Sequence, residues 1–222
     1  MDWIPYGPSA VLIRFADCVG DAAFERCRAM TSELEKHSPH GLIEFVPAFT
    51  TLLLEFDPRE VPNTADAMRE LLPLLKRAAS HPHRPPPVKE IPVWYDGPDL
   101  ERVAQANQLS VREVRERHSA PVYKVYMLGF APGFPYLGDL DPSLHTPRLA
   151  SPRLKVKAGS VAIGGEHTGI YPMDGPGGWN IIGHTTTSLC HGDWSTGLRA
   201  PEEVFFLKQG DCVRFIPQAT TA

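Results

Sequence analysis

Cysteine is scarce in this chain. Cys18, Cys27, Cys190 and Cys212 are the four present among 222 residues, and no two are spaced as C-x-x-C. Such a set offers no zinc ribbon and marks no disulfide framework in a chain of this size, so buried reduced thiols are expected. Long apolar runs are missing too, since no stretch approaches the roughly 18 residues that cross a membrane as a helix. No long basic run occurs and the net charge is −4, which argues against nucleic acid as a partner. The opening MDWIPYGPSA puts an acid and prolines where a secretory signal has a basic start and an apolar run. A soluble, cytoplasmic protein is expected.

The common catalytic signatures are missing as well. There is no G-x-x-x-x-G-K-[ST] phosphate loop, no G-x-G-x-x-G after a strand and no H-E-x-x-H. The nine histidines show no metal-ligand spacing, and no metal site is expected. The nearest approach to a nucleophile elbow, Ala158-Gly159-Ser160-Val161, lacks the second glycine and leads into a strand. A nucleotide, if one is handled, is handled without the usual cradle.

What the chain does have is proline: 23 residues, about twice average usage, spread throughout. This predicts loop-rich β structure rather than a disordered tract. The hydrophobic fraction of 42% is enough for a core. AVLIRF (10–15) reads as a strand, and Asp21 caps a helix to about Lys36 with Phe24, Cys27 and Leu34 on one face. GLIEFVPAFTTLLLEF (41–56) reads as two strands around a turn near Pro47. A second helix starts at Asn63 or Thr64, with Met68, Leu71, Leu72 and Leu75 as its apolar stripe and Pro73 as a kink. The order β-α-β-β-α predicts a small α+β sandwich over residues 1–82. HPHRPPPVKE (81–90) reads as a stiff polyproline-like segment, and 83–90 is the expected linker.

The remainder, 91–222, opens with a strand in EIPVWY (90–95). Helices are expected at about 98–107 and 110–118, where Ser110 and Glu113 form a capping box. Strands are expected at 122–128, 160–164, 167–171, 180–183, 185–189, 203–207 and 212–216. Short strands at that spacing predict a closed or nearly closed barrel.

Two segments carry the candidate site. GFAPGFPYLGDL (129–140) suits neither a helix nor a central strand, because proline lacks a donor and glycine weakens both. Phe130, Phe134 and Tyr136 are its candidate walls, with Pro132 and Gly133 between them. YPMDGPGGWNIIGHT (171–185) contributes Tyr171, Gly177, Gly178, Trp179 and Asn180. Glycines let a backbone approach a ligand and aromatics give rigid walls. Between the two lie Arg153, Lys155 and Lys157, which alternate and so would share one face of an extended segment, facing a carboxylate or phosphate. Glu166 and Asp174 are candidate acids and His184 a candidate proton carrier. Turns over a core and a solvated cationic strand face are the competing, and commoner, account of the same residues.

The run YMLGFAPGFPYLGDLD, then TPRLASPR, AGSVAIGGEHTGIYP and GPGGWNIIGHT, over about residues 118–189, resembles the signature of the 5-oxoprolinase B-subunit family, which also goes by the names allophanate hydrolase subunit 1 and KipI family. KQGDCVRFIP (208–217) resembles that family's ending. The resemblance implies an α+β fold, a small N-terminal α+β sandwich domain followed by a C-terminal cyclophilin-like β-barrel. It implies an ATP-dependent 5-oxoprolinase, using ATP with Mg. In that enzyme this chain would act with a C-type partner that is a cyclophilin-like duplication and an A-type partner of the LamB/YcsF type, and would be inactive alone. A carboxyltransferase relative of urea carboxylase and a KipI-type inhibitor of a histidine kinase are the alternatives. On the favoured reading Lys157, His184 and Glu166 are the catalytic candidates. Arg153 and Lys155 are candidates for developing charge, and Gly177, Gly178 and Trp179 form a cradle. The chain departs from the family's usual residues at Asp139, Lys157, His167 and His184, the last standing where Arg is usual.

Overall fold

The computed structural model describes residues 1–79, 86–191 and 204–219. The chain divides into two compact units, Met1–Pro85 and Pro86–Ala222.

The first unit runs β1 (Asp2–Pro5), β2 (Ala10–Arg14), α1 (Asp21–Lys36), β3 (Leu42–Pro47), β4 (Thr51–Phe56) and α2 (Thr64–Ala78). The strands form one antiparallel sheet in the order β1-β2-β4-β3. Alternate residues Val11, Ile13, Leu52, Leu54 and Phe56 face Cys27, Met30 and Leu34 of α1 and Met68, Leu71 and Leu75 of α2. The expected sandwich is present, with β1 added. DWIP gives little strand signal because it is short and ends in proline, which an edge strand tolerates. Asp21 is the first helical residue rather than the cap, and Gly20 occupies the cap position. Asn63 caps α2 by accepting from the Ala65 N–H.

The second unit runs β5 (Val88–Val93), α3 (Leu100–Ala106), α4 (Val111–Ser119), β6 (Tyr123–Leu128), β7 (Pro135–Gly138), a single 3-10 turn (Pro142–Leu144), β8 (Arg153–Val156), β9 (Ser160–Gly164), β10 (His167–Ile170), β11 (Gly175–Gly177), β12 (Asn180–His184) and β13 (Cys212–Pro217). Val88 to Glu90, expected in the linker, open β5, while 80–85 lie outside the described residues. Seven strands form a sheet in the order β12-β9-β10-β7-β6-β13-β5, antiparallel except at β13–β5.

The two outer strands of that sheet meet. Trp94, just past β5, and His184 exchange both backbone hydrogen bonds at 2.9 Å. Beyond them the Gly97 N–H donates to the Ile182 carbonyl at 3.2 Å and the Asp99 N–H to the Ile181 carbonyl at 2.9 Å. Gly97 and Gly183 are required here, because a Cβ on either would overlap the backbone across the seam. The result is the expected cyclophilin-like barrel. Ile91, Val93, Val125, Leu137, Val161, Ile163, Ile170, Ile182 and Phe215 fill its interior.

Three further expectations fail in this unit. TTTSL (185–189) is not a strand: the Thr185 hydroxyl accepts from the Thr187 N–H, a local bond that competes with a ladder. Within 203–207, residue 203 lies outside the described residues, and the rest contributes a single bridge, Cys190 to Phe205. The third is GFAPGFPYLGDL, whose residues Pro135–Gly138 form β7, between β10 and β6. Pro135 is the first residue of that strand, where proline is tolerated, and Gly138 leaves room for the Tyr126 ring.

Candidate functional site

Both faces of β9 are buried. Val161 and Ile163 point into the barrel, while Ala162 joins a second apolar cluster on the outer wall with Phe134, Val156, Tyr171, Trp179 and Ile181. The small two-stranded sheet β8–β11 supplies Val156 to that cluster, and the segment after β11 supplies Trp179. Phe134 is its centre, edge-to-face with Tyr171 at 5.2 Å and with Tyr136 and Trp179 at 5.3 Å. Glycines make the layer close: a Cβ on Gly164 would overlap the Trp179 indole, and one on Gly177 the Tyr171 ring. Arg148 stacks over Trp179 at 5.7 Å from the ring centroid. Burial raises the Tyr171 phenol above its ordinary value.

The Gly/Pro/aromatic segments therefore build a packed layer. Phe134, expected as a groove wall, is 1% exposed, whereas Phe130 is 65% exposed and held at φ +68°. Tyr136 is half-buried beside Trp179 at 5.7 Å. Gly133, at φ +75°, and Pro132 sit over Cys190, whose thiol donates to the Pro132 carbonyl at 3.5 Å. Gly178 faces Pro152 and accepts from the Leu149 N–H. The Asn180 amide is spent internally: Nδ2 donates to the Pro147 and Ile163 carbonyls and Oδ1 accepts from Arg102 Nε at 2.8 Å.

The three cations do not share one free face. Arg153 Nη2 donates to Asp99 Oδ1 at 2.7 Å, and Asp99 Oδ2 accepts from the Ile181 N–H at 2.7 Å. Asp99 is buried, so this carboxylate ties β8, α3 and β12 together. Replacing Asp99 by Ala is expected to cost about 2–3 kcal/mol, because it strips partners from the Arg153 guanidinium and a buried N–H; a shift in denaturant midpoint measures it. Lys155 Nζ pairs with Asp174 at 2.9 Å, and both are solvent-exposed. The Ala158 N–H, then Lys155 and Lys157, hold the Asp174 carboxyl below its ordinary value.

Lys157 and His184 lie at one end of β9. The Ser160 N–H donates to the Lys157 carbonyl at 3.2 Å, and His184 is opposite Ser160 in the β9–β12 ladder. Glu166 does not join them. It occupies the hairpin turn after Gly164, four residues along β9 from Ser160, which is about 13 Å of strand. His184 Nδ1 is 2.8 Å from Asp96 Oδ1, and its ring stacks on Trp94 with centroids 5.3 Å apart and planes at 15°. Among the described residues no group of three or more His, Cys, Asp or Glu side chains is arranged to hold a metal ion. No helix among them is long and apolar enough to cross a membrane.

The family described as carboxyltransferase domain, subdomain C and D, matches residues 1–196. This chain belongs to that family. Within the carboxyltransferase-domain family it is 38% identical to the B subunit of 5-oxoprolinase from Bacillus subtilis (strain 168), over 95% of this chain and 90% of that protein. It is 54% identical to the B subunit of 5-oxoprolinase from Escherichia coli O157:H7 over 132 residues, 58% of this chain and 57% of that one. Among solved structures it matches TTHA0988 at 39% identity with a TM-score of 0.82, over 96% of its own length but only 41% of the TTHA0988 chain. The Kluyveromyces lactis urea carboxylase, at 20% identity and a TM-score of 0.69, shares the fold over 98% of this chain and 22% of its own.

In this member of the carboxyltransferase-domain family, Asp96, Asp99, Arg102 and Arg148 were not visible as site residues. Asp99 meets partners 54 and 82 positions away, and Asp96 meets His184 88 positions away, so no local spacing announces them. The one sequence cue was the acid–proline punctuation of YDGPDLERV (95–103), where Asp99 becomes the residue that precedes α3.

Proposed function

We propose that this chain is the B subunit of an ATP-dependent 5-oxoprolinase, which opens the lactam of 5-oxoproline to glutamate together with A- and C-type partners in the cytoplasm. The observation that carries the reading is the match to a protein named as the B subunit of 5-oxoprolinase along 95% of this chain. ATP, with Mg, supplies a phosphoryl group to the amide oxygen, which makes the carbon easier for water to attack. Lys155 and Lys157 are the cations a phosphate would reach. The Lys155–Asp174 pair is exposed and exchangeable, while Arg153 is engaged by buried Asp99. His184 is the acid–base candidate at the same end of the barrel. Glu166, at the far end of β9, is not assigned a role with them.

The test is glutamate release from 5-oxoproline and ATP by the chain assembled with its A- and C-type partners, with each protein omitted in turn. Glutamate formation is expected to require this chain. In the working complex Lys157→Ala and His184→Ala are each expected to lower turnover at least about tenfold, equivalent to about 1.4 kcal/mol of transition-state stabilisation. Unchanged turnover in both would remove these residues from the reaction.

A second reading, carboxyl transfer to or from an amide, is favoured by the family description and by the barrel shared with urea carboxylase. It predicts a biotin-dependent activity and no glutamate. A stable complex that is silent with 5-oxoproline but exchanges carboxyl groups with carboxybiotin would select it.

A further inference from the structure

We propose that Asp96 is a positioning residue that fixes the tautomer of His184 and leaves its Nε2 as the proton-accepting atom, an inference that rests on the amidohydrolase reading above. Three restraints meet on this histidine. Its N–H and its carbonyl are both bonded to Trp94, which holds the backbone at the barrel seam. Its ring lies nearly parallel to the Trp94 indole, at 5.3 Å and 15°. Its Nδ1 is 2.8 Å from Asp96 Oδ1.

A carboxylate only accepts hydrogen bonds, so Nδ1 carries the hydrogen in that contact. In the neutral imidazole the remaining nitrogen, Nε2, then holds the lone pair. The His184 side chain is 48% exposed and that of Asp96 43%, so the pair stands at the surface of the barrel end. No local motif joins the two, because the seam alone brings β12 against the segment after β5.

The chemistry that follows is a two-way proton transfer. As a water oxygen bonds to the phosphorylated amide carbon, one of its protons passes to Nε2, which returns it to the lactam nitrogen. The carbon–nitrogen bond then breaks as the remaining proton of that water moves to the same nitrogen, leaving an amine and an acyl phosphate. A second water displaces the phosphate and leaves the carboxylate. The imidazole returns to its starting state, and Asp96 Oδ1 stays against Nδ1–H throughout, stabilising the transient imidazolium.

The experiment has two arms. Long-range proton–nitrogen correlation on the nitrogen-15-labelled chain alone, in mildly alkaline buffer, reads which nitrogen of His184 is protonated. Nδ1–H is expected in the wild type, and a shift toward Nε2–H in Asp96→Ala. A wild-type His184 protonated on Nε2 would overturn the proposal. In the assembled complex Asp96→Ala is expected to lower kcat by about 10²-fold with KM changed less than about twofold, since general acid–base catalysis contributes on that scale. Asp96→Glu should recover part of the loss, which a merely structural role would not allow. Unchanged kcat in Asp96→Ala, with an active wild type, would overturn the dyad alone. A wild-type complex that makes no glutamate would overturn the proposed activity and the dyad's part in it, whatever the tautomer.

Discussion

Lowering the pH from about 6.5 to about 4.5 is expected to destabilise the barrel unit by about 2.3 kcal/mol through His118 alone, with the slope rising from about 0.7 to about 1.4 kcal/mol per pH unit. His118 is 0% exposed, at the end of α4, and stacks on Phe215 inside the barrel at 4.7 Å. Burial pushes its imidazole down from 6.5 to about 3. Its partners explain why the neutral form is the one bound. The Thr168 hydroxyl donates to the Ala162 carbonyl at 3.0 Å, so it accepts from His118 Nε2–H at 2.8 Å. Nδ1 is then the acceptor, and the Tyr95 hydroxyl donates to it at 2.8 Å. A second proton on this ring would break the Tyr95 contact and place an unpaired charge in the core.

The sign follows from linkage. Above the unfolded value of 6.5 the ring is neutral folded or unfolded, and pH has no effect through it. Below it the unfolded chain takes up a proton that the folded one refuses, so stability falls as pH falls, down to about 3. Asp174, Asp141 and Glu113, whose carboxyls are all held low, lose their contributions only at lower pH. His167, lowered first by burial, shifts in the same direction as His118. His118→Gln separates them. It keeps a donor and an acceptor, is expected to cost about 1–3 kcal/mol at neutral pH, and should remove about one proton from the slope. Amide exchange in β9 and β13, followed as a function of pH, reads the unit directly. An unaltered slope in the variant would sink the assignment.

His118 also marks where sequence reading ran out. Helix 110–118 was legible from Ser110 and Glu113, and the structure has both halves of that capping box. That the helix ends by plugging a barrel was not, because Tyr95, Thr168 and Phe215 lie 23, 50 and 97 positions from His118. The strands with clean apolar content, such as SVAIG and NIIG, were read at their true places. Strands β7, β8 and β11 were not, because their sequences PYLG, RLKV and GPG carry glycine, proline or charge where a strand signal is sought. Their partners, rather than their own propensity, make them strands. The same limit governs the candidate site. The aromatics and glycines of 129–140 and 171–185 were recognised as a unit, and they do converge. Alternation placed Arg153, Lys155 and Lys157 on one face, but alternation says nothing about Asp99 and Asp174, the acids that divide them.

Trp179→Ala is expected to destabilise the barrel unit by about 3–5 kcal/mol, the cost of emptying a buried indole site. Trp179 is 5% exposed and touches Phe134 and Tyr136 edge-on. Its ring lies where a Cβ of Gly164 would be, so Gly164→Ala should cost about 1–3 kcal/mol by overpacking. The double variant decides whether the two are one feature. With the indole gone the new methyl enters vacated space, and alanine also removes the roughly 0.5–1 kcal/mol penalty of glycine in a strand. Gly164→Ala should therefore be neutral or stabilising in the Trp179→Ala background, a coupling of about 1–3 kcal/mol. Costs that simply add within about 0.5 kcal/mol would mean the indole does not rest on Gly164. The cycle also bears on Arg148, which stacks over that same ring. A coupled pair makes the glycine of β9 the seat of the indole, and the indole the seat of the cation.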